Sequence, residues 1–204
     1  TINNDGSITS LVSANTAAGF SIVKYTGDSS ATMAIGHGLS QSPQIVISKR
    51  LDSSQDWGIY TNVSTGNNTT NWLSLNDTDA YGSGNYMNLS STLLSAVATG
   101  AFWIQGSQIA YCWHSVAGYS KIGTYTGNGN VSGPTITTNF EPSWVMVKRT
   151  DSTGAWNIQD NKRNTTNPRN TILQANDNAG DITNTAYNIN FDSTSFQIVN
   201  TGSF

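Results

Sequence analysis

Hydrophobic residues along this chain fall into short runs, and clusters of Gly, Asn, Asp and Ser separate one run from the next. Short apolar or alternating runs punctuated by turn residues are typical of antiparallel strands. The pattern predicts strands at 8–12, 20–25, 44–49, 57–60, 72–75, 102–105, 109–116, 121–125, 135–137, 144–148, 156–159, 171–174, 187–191 and 196–199. Only the stretch 91–97 has the pattern of a helical turn. Many short strands with this spacing favour an all-β sandwich.

The same pattern occurs twice. Residues 18–21, Ala-Gly-Phe-Ser, recur as Ala-Gly-Tyr-Ser at 117–120. Further on, a set of residues recurs at a constant offset of 99 positions: Pro43, Lys49, Arg50, Asp52, Trp57 and Ile59 match Pro142, Lys148, Arg149, Asp151, Trp156 and Ile158. A period of this length is that of a small domain and is too long for a solenoid repeat.

The duplication predicts two tandem, internally duplicated antiparallel β-sandwich units of the jelly-roll or lectin-like type. We expect an N-terminal strand and linker at 1–16, a first repeat at 17–115 and a second repeat at 116–204. An alternative phasing, with units at 6–105 and 106–204, starts each copy at a Gly-Ser pair.

Each copy contains an apolar run, then a turn that follows a Lys-Arg pair, then a tryptophan. This pattern predicts a β-hairpin with an aromatic residue in its second strand. We expect Trp57 and Trp156 at equivalent core positions. Cys112, the only cysteine, lies among apolar and aromatic residues and is expected to be an inert core thiol. No internal disulfide is possible.

The two copies differ at their ends. A strand at 109–114 follows the first copy, and no counterpart follows the second. Under the phasing that starts each copy near Ala17 and Ala117, the second copy would have an open sheet edge. Proteins seldom leave such an edge unpaired. The expectation is that residues beyond Phe204 or a neighbouring chain fill it.

The composition of the chain argues against two classes of function, nucleic-acid binding and membrane insertion. Charged residues are 10% of the chain, and the net charge is −3 with no basic run. Nucleic-acid binding needs a positive footprint and is therefore not expected. No apolar stretch approaches the length of a membrane span, so no membrane insertion is expected either.

Few residues could support catalysis or bind a metal ion. His37 and His114 are the only histidines, and His37 between two glycines is best explained as a turn residue whose ring bonds to backbone. Residues 176–181 offer oxygen ligands but lack the spacing of a calcium loop, and turn chemistry accounts for them. We predict no catalytic residues, no metal site and no cofactor.

Two sets of residues are candidates for contacts with other molecules. Aromatic residues beside polar amides could stack on a glycan: Trp72, Tyr81, Tyr86 and Trp103. Basic pairs that recur in both copies could contact an acidic neighbouring subunit: Lys49, Arg50, Lys148 and Arg149. For the basic pairs, protection of a strand end is an equally good explanation.

Residues 18–27 (Ala-Gly-Phe-Ser-Ile-Val-Lys-Tyr-Thr-Gly), 36–39 (Gly-His-Gly-Leu), 43–50 (Pro-Gln-Ile-Val-Ile-Ser-Lys-Arg) and Asp56-Trp57 resemble a repeat domain of tailed-phage virion proteins. That domain occurs especially in phages of marine and freshwater bacteria, often beside concanavalin-type sandwich domains in tail-fibre proteins. The resemblance extends over nearly all of 16–204. The second copy departs from it, since 137–140 (Thr-Thr-Asn-Phe) replaces the Gly-His-Gly-Leu block.

The resemblance implies a non-enzymatic structural component of a phage virion on the particle surface, as a tail-fibre or receptor-binding part. The expected partners are other virion subunits in a homo-oligomer, with a trimer favoured, and a host-surface glycan. Two alternatives remain open: a capsid decoration or cement protein, and a carbohydrate-binding module for host-surface glycan.

Overall fold

The computed structural model describes residues 1–63, 70–82 and 84–200. The strands are β1 (Ile2–Asn3), β2 (Ser10–Asn15), β3 (Phe20–Asp28), β4 (Ala34–Gly36), β5 (Ile45–Arg50), β6 (Gly58–Thr61), β7 (Asn71–Ser74), β8 (Met87–Leu89), β9 (Leu93–Ala96), β10 (Gln105–Trp113), β11 (Thr135–Thr137), β12 (Trp144–Lys148), β13 (Trp156–Asp160), β14 (Thr171–Gln174), β15 (Ile182–Thr183), β16 (Ile189–Asp192) and β17 (Ser195–Ile198). Short 3-10 helices lie at Phe102–Ile104 and Thr185–Tyr187.

All pairings between these strands are antiparallel, which confirms the predicted all-β class. The helical turn expected at 91–97 is wrong, because Leu93–Ala96 forms strand β9 between β4 and β8. The chain divides into two compact units. The first contains Thr1–Ser74 and Tyr81–Gly123, and the second contains Leu75–Ala80 and Thr124–Phe204.

The first unit has a seven-stranded sheet in the order β1-β2-β3-β10-β5-β6-β7 and a three-stranded sheet in the order β4-β9-β8. Its core draws on both sheets, with Val23, Ala110 and Cys112 from the large one and Ile35 and Leu94 from the small one. Side chains alternate across each strand, so every second residue of β3 and β10 faces this core.

Cys112 lies in the middle of that core and is fully buried. Burial raises the pKa of its thiol to about 12, because the apolar surroundings disfavour the thiolate. A thiol that stays protonated at neutral pH is a poor nucleophile. Cys112 therefore acts as a small core residue.

The second unit is built from a four-stranded sheet, β12-β13-β14-β15, and a three-stranded sheet, β11-β17-β16. Its described core cluster is smaller and consists of Ile189, Phe191, Phe196 and Ile198, with Val145 of β12 packed against it. Residues from both sheets therefore share this core as well.

One hairpin has the same register in both units. In the first unit Ile47 lies opposite Ile59, and in the second Met146 lies opposite Ile158. The offset of 99 positions found in the sequence thus carries one strand pair onto the other without a slip. A slip by one residue would have reversed the face of every side chain.

The strand predicted at 121–125 does not form, although its counterpart in the first copy is β3. In the first unit β3 is held on both sides, by β2 and by β10. Within the described residues of the second unit, no strand stands in either of those places. An isolated extended segment has no partners for its backbone groups and gains little from being a strand.

The unit boundaries differ from those expected from the sequence. Residues 1–16 are part of the first unit, because β2 pairs with β3 from Leu11↔Lys24 to Asn15↔Phe20. The first unit continues past residue 115 to Gly123, and the Ile122 N–H donates back to the Ser115 hydroxyl. The segment Leu75–Ala80 joins the second unit, where Thr78 O accepts from Gly154 N–H at 2.8 Å.

The two repeated tryptophans share a register position but differ in burial. Trp156 opens β13 and is 4% exposed. Trp57 precedes β6 and is only half-buried, which corrects the expectation that it belongs to the core. Its ring lies on the sheet face opposite the core and stacks on Tyr111, with centroids 6.5 Å apart.

We expect Trp156→Ala to lower the free energy of unfolding by about 3–5 kcal/mol, since it removes a buried aromatic side chain. Trp57→Ala is the matched control and should cost about 1–2 kcal/mol, because its half-buried ring loses less contact on truncation than a fully buried one. Urea unfolding followed by far-UV circular dichroism measures both. Equal losses would contradict the assigned difference in burial.

Candidate functional site

Four aromatic side chains form a continuous row on the outer face of the seven-stranded sheet. Along this aromatic row, Phe20 stacks on Trp113 with centroids 4.9 Å apart, and Trp113 lies 6.2 Å from Tyr111. Tyr111 in turn lies 6.5 Å from Trp57. All four rings are half-buried, so each keeps part of its surface accessible.

Strand alternation creates the row. The buried residues Ala110 and Cys112 point into the core, so Tyr111 and Trp113 point out on the opposite face. The register of β3 with β10 places Phe20 directly opposite Trp113. Sequence reasoning missed this set, although the aromatic residues on either side of Cys112 were the signal that could have found it.

A cation closes one end of the aromatic row. The Lys49 ammonium lies 5.9 Å from the centroid of the Trp57 ring and donates a hydrogen bond to Gln55 O. A cation above an aromatic face is attracted by the ring quadrupole. Lys49, expected as a subunit contact, is therefore engaged within its own unit.

Flat aromatic rings bind other molecules by stacking, since their faces are apolar and the Tyr hydroxyl and the Trp Nε1–H can form hydrogen bonds at the ring edge. Within residues 1–63, 70–82 and 84–200, no group of three His, Cys, Asp or Glu side chains is placed to hold a metal ion. The aromatic row thus presents several partly accessible ring faces on one side of the sheet.

The glycan contacts expected from the sequence are placed elsewhere. Trp103 is 0% exposed, and its Nε1–H donates to Tyr86 O at 2.9 Å. The expectation that Trp103 contacts a glycan is therefore wrong. Trp72 and Tyr86 meet edge to face at 6.3 Å and pack against the core. Tyr81 is half-buried. Trp72 and Tyr86 thus contribute to the packing of the first unit, while both of them and Tyr81 keep part of their surface accessible.

The repeated basic residues form the same local ion pair in both units. Arg50 Nε donates to Asp52 at 2.6 Å, and Arg149 Nε donates to Asp151 at 2.7 Å. In the first unit Asp52 also accepts the Ser107 N–H at 2.9 Å, which ties the turn to the start of β10. The hydrogen bond from Arg50 lowers the pKa of Asp52.

Lys148 is likewise occupied inside its own unit. Its ammonium donates to Thr78 O at 3.1 Å and to Arg149 O at 2.7 Å. Burial lowers the pKa of Lys148, and the nearby carboxylates Asp77 and Asp79 act in the opposite direction. The two lysines thus stabilise turns at equivalent strand ends.

Comparison with protein families gives a match over residues 1–203 to a family described as a domain of unknown function, DUF7483. The chain belongs to the DUF7483 family. The match includes both copies of the repeated hairpin. No curated protein and no solved structure matches the chain.

In this DUF7483 chain, His37 is a buried structural residue. It is fully buried; its Nε2–H donates to Ser90 O at 3.1 Å, and its Nδ1 accepts the Leu39 N–H at 3.2 Å. Both ring nitrogens are therefore bonded to backbone in the neutral tautomer. The pKa of His37 is lowered, chiefly by burial and further by His114, against the opposing effects of Ser90 and Asp5.

None of the helices in the described part of the chain has the length and apolarity that crossing a bilayer requires.

The lowered pKa of His37 predicts a loss of stability as the pH falls. The unfolded chain takes up a proton near pH about 6.5, whereas the folded chain resists it, so stability is complete above that pH and declines below it. We expect the free energy of unfolding of His37→Gln to depend less on pH between about 7.5 and 5. Urea titrations at both pH values measure this.

Asp52 and Asp160 do not interfere in that window, because their lowered pKa values confine their titration to more acidic pH. Parallel stability curves for the variant and the native chain would show that His37 is not the titrating group.

Proposed function

We propose that this chain is a non-enzymatic structural component of a phage virion, exposed on the particle surface as a tail-fibre or receptor-binding part. The resemblance of 18–57 to the virion repeat domain is the support for the phage assignment. The observation that carries the structural role is the repeated hairpin, which keeps both its register and its Arg–Asp ion pair. A duplicated scaffold multiplies a surface, whereas an enzyme needs a single reactive pocket.

The proposal includes the architecture. We infer that the two units are tandem duplicates of one antiparallel β-sandwich, and that the second has diverged at its edges. In each unit two sheets contribute to one core, which is the arrangement of a sandwich. The proposed partners are other virion subunits in a symmetric homo-oligomer, with a trimer favoured.

Antibodies raised against the chain should label intact phage particles at the tail. Immunogold electron microscopy of purified virions measures this, with particles of an unrelated phage as the control. Label spread over the capsid lattice would favour a capsid decoration protein instead. Particles that bind no antibody although the chain is expressed during infection would contradict the virion assignment.

A second function is favoured by the aromatic row: binding of a host-surface glycan. Sugar rings present apolar C–H faces of a size that matches one aromatic ring. Phe20, Trp113 and Tyr111 offer adjacent half-buried rings at spacings of 4.9 and 6.2 Å. This function is compatible with a receptor-binding part and also with an independent carbohydrate-binding module.

Trp113→Ala should weaken glycan binding by about tenfold or more, because it removes the ring at the centre of the row. Phe102→Ala is the control, since Phe102 is an exposed aromatic of the same unit outside the row. Glycan-array screening followed by calorimetric titration of the best ligand measures both variants. Equal weakening by both, with circular dichroism unchanged, would exclude the row as the binding surface.

A further inference from the structure

Among the residues that the structure describes, no strand pairs with the outer edge of β12, whereas the equivalent strand of the first unit has a partner there. β12 corresponds to β5 by register, and β5 pairs with β6 on one side and with β10 on the other. In the second unit β12 pairs with β13 and stands at the end of its sheet, as far as the described residues extend.

The backbone groups on that edge can be assigned. Asn161 N–H donates to Ser143 O, so Ser143 and every second residue after it face β13. Trp144, Met146 and Lys148 therefore turn their N–H and C=O groups to the outer edge. In the described part of the chain, no backbone hydrogen bond reaches these N–H groups from that side. An unpaired edge of this kind is a template for a further strand.

A carboxylate that could accept a hydrogen bond from an added strand, that of Asp151, lies at the same edge. In the first unit Asp52, held by Arg50, accepts the Ser107 N–H and thereby fixes the start of β10. The ion pair Arg149–Asp151 repeats this arrangement, but the side chain of Asp151 is 78% exposed, against 44% for Asp52. The carboxylate of Asp151 is oriented by its arginine, and among the described residues no backbone N–H of a following strand donates to it.

Tyr125 gives a third sign of a missing neighbour. Its counterpart Tyr25 donates its hydroxyl proton to Trp103 O at 2.7 Å, just ahead of β10. The Tyr125 hydroxyl is buried and has no hydrogen-bond partner among the described residues. Buried hydroxyls normally have a partner, so its absence here calls for an explanation.

We propose that the β12 edge binds an extended strand donated by another protein chain, which runs antiparallel to β12 and takes the place that β10 has in the first unit. The inference rests on the repeated hairpin and does not depend on the phage assignment. Its chemistry follows from β10. Small residues such as Ala110 and Cys112 point to the core, and aromatic residues such as Tyr111 and Trp113 point outward.

The outward face of β12 suits such a strand. By the register of β10 on β5, the counterparts of Trp113 and Tyr111 would lie opposite Trp144 and Met146. Trp144 is 55% exposed, so an aromatic residue placed beside it would cover an apolar ring. Strand addition of this kind takes its affinity from main-chain hydrogen bonds and its specificity from alternate side chains.

The probe is a synthetic peptide with the sequence of residues 104–114, labelled and kept reduced. We expect it to bind the full chain with one-to-one stoichiometry in fluorescence anisotropy. Hydrogen exchange should then slow at Trp144, Met146 and Lys148. Methylation of the peptide nitrogen of Tyr111 removes the N–H directed at β12 and should abolish binding. A peptide methylated at the nitrogen of Ala110 keeps that N–H and should bind more tightly than the peptide methylated at Tyr111.

Asp151→Asn should weaken binding of the peptide by about tenfold, because the carboxylate loses its charge. Asp177→Asn makes the same change at an exposed turn of the same unit and should leave binding unchanged. Absence of binding, or binding without protection of β12, overturns the proposal. Self-association of the chain alone, with protection of those three amides, would also overturn it and assign the edge to a second copy.

Discussion

The pairing of β10 with both β3 and β5 is the constraint on which the first unit depends. This nine-residue strand is hydrogen-bonded along its whole length to β3 and along six residues to β5. It also carries Ala110 and Cys112 into the core and Tyr111 and Trp113 onto the outer face. Backbone N–H and C=O groups that are removed from water need hydrogen-bond partners, and a central strand supplies these partners to the strands on both sides of it.

The second unit shows the same constraint by contrast. In the part of the second unit that the structure describes, no strand stands in the place of β10, the segment 121–125 is irregular and β12 lies at the edge of its sheet. The hairpin β12–β13 persists, because its hydrogen bonds are satisfied between two segments close in sequence. The Arg–Asp pair at its turn persists for the same reason, since both side chains lie two residues apart. The features that recur in both units are thus those whose partners lie close in sequence.

Several titratable side chains of the described residues are engaged within their own unit. Cys112 and His37 are buried, and burial disfavours the charged form of each side chain. The repeated lysines and arginines are engaged with carbonyls and carboxylates of their own units. Among the described residues, the first unit presents a row of stacked rings and the second presents a strand edge. The first offers π-faces to a ligand, and the second offers backbone donors and acceptors.

The sequence by itself determined the β class, the repeated hairpin and its register, because alternation, turn residues and a constant offset are local signals. It could not determine which aromatic residues are exposed. Trp103 and Trp57 look alike in sequence, yet one is enclosed by two sheets and the other lies on an outer face. Burial depends on what covers a side chain from elsewhere in the chain, and only the tertiary structure decides that.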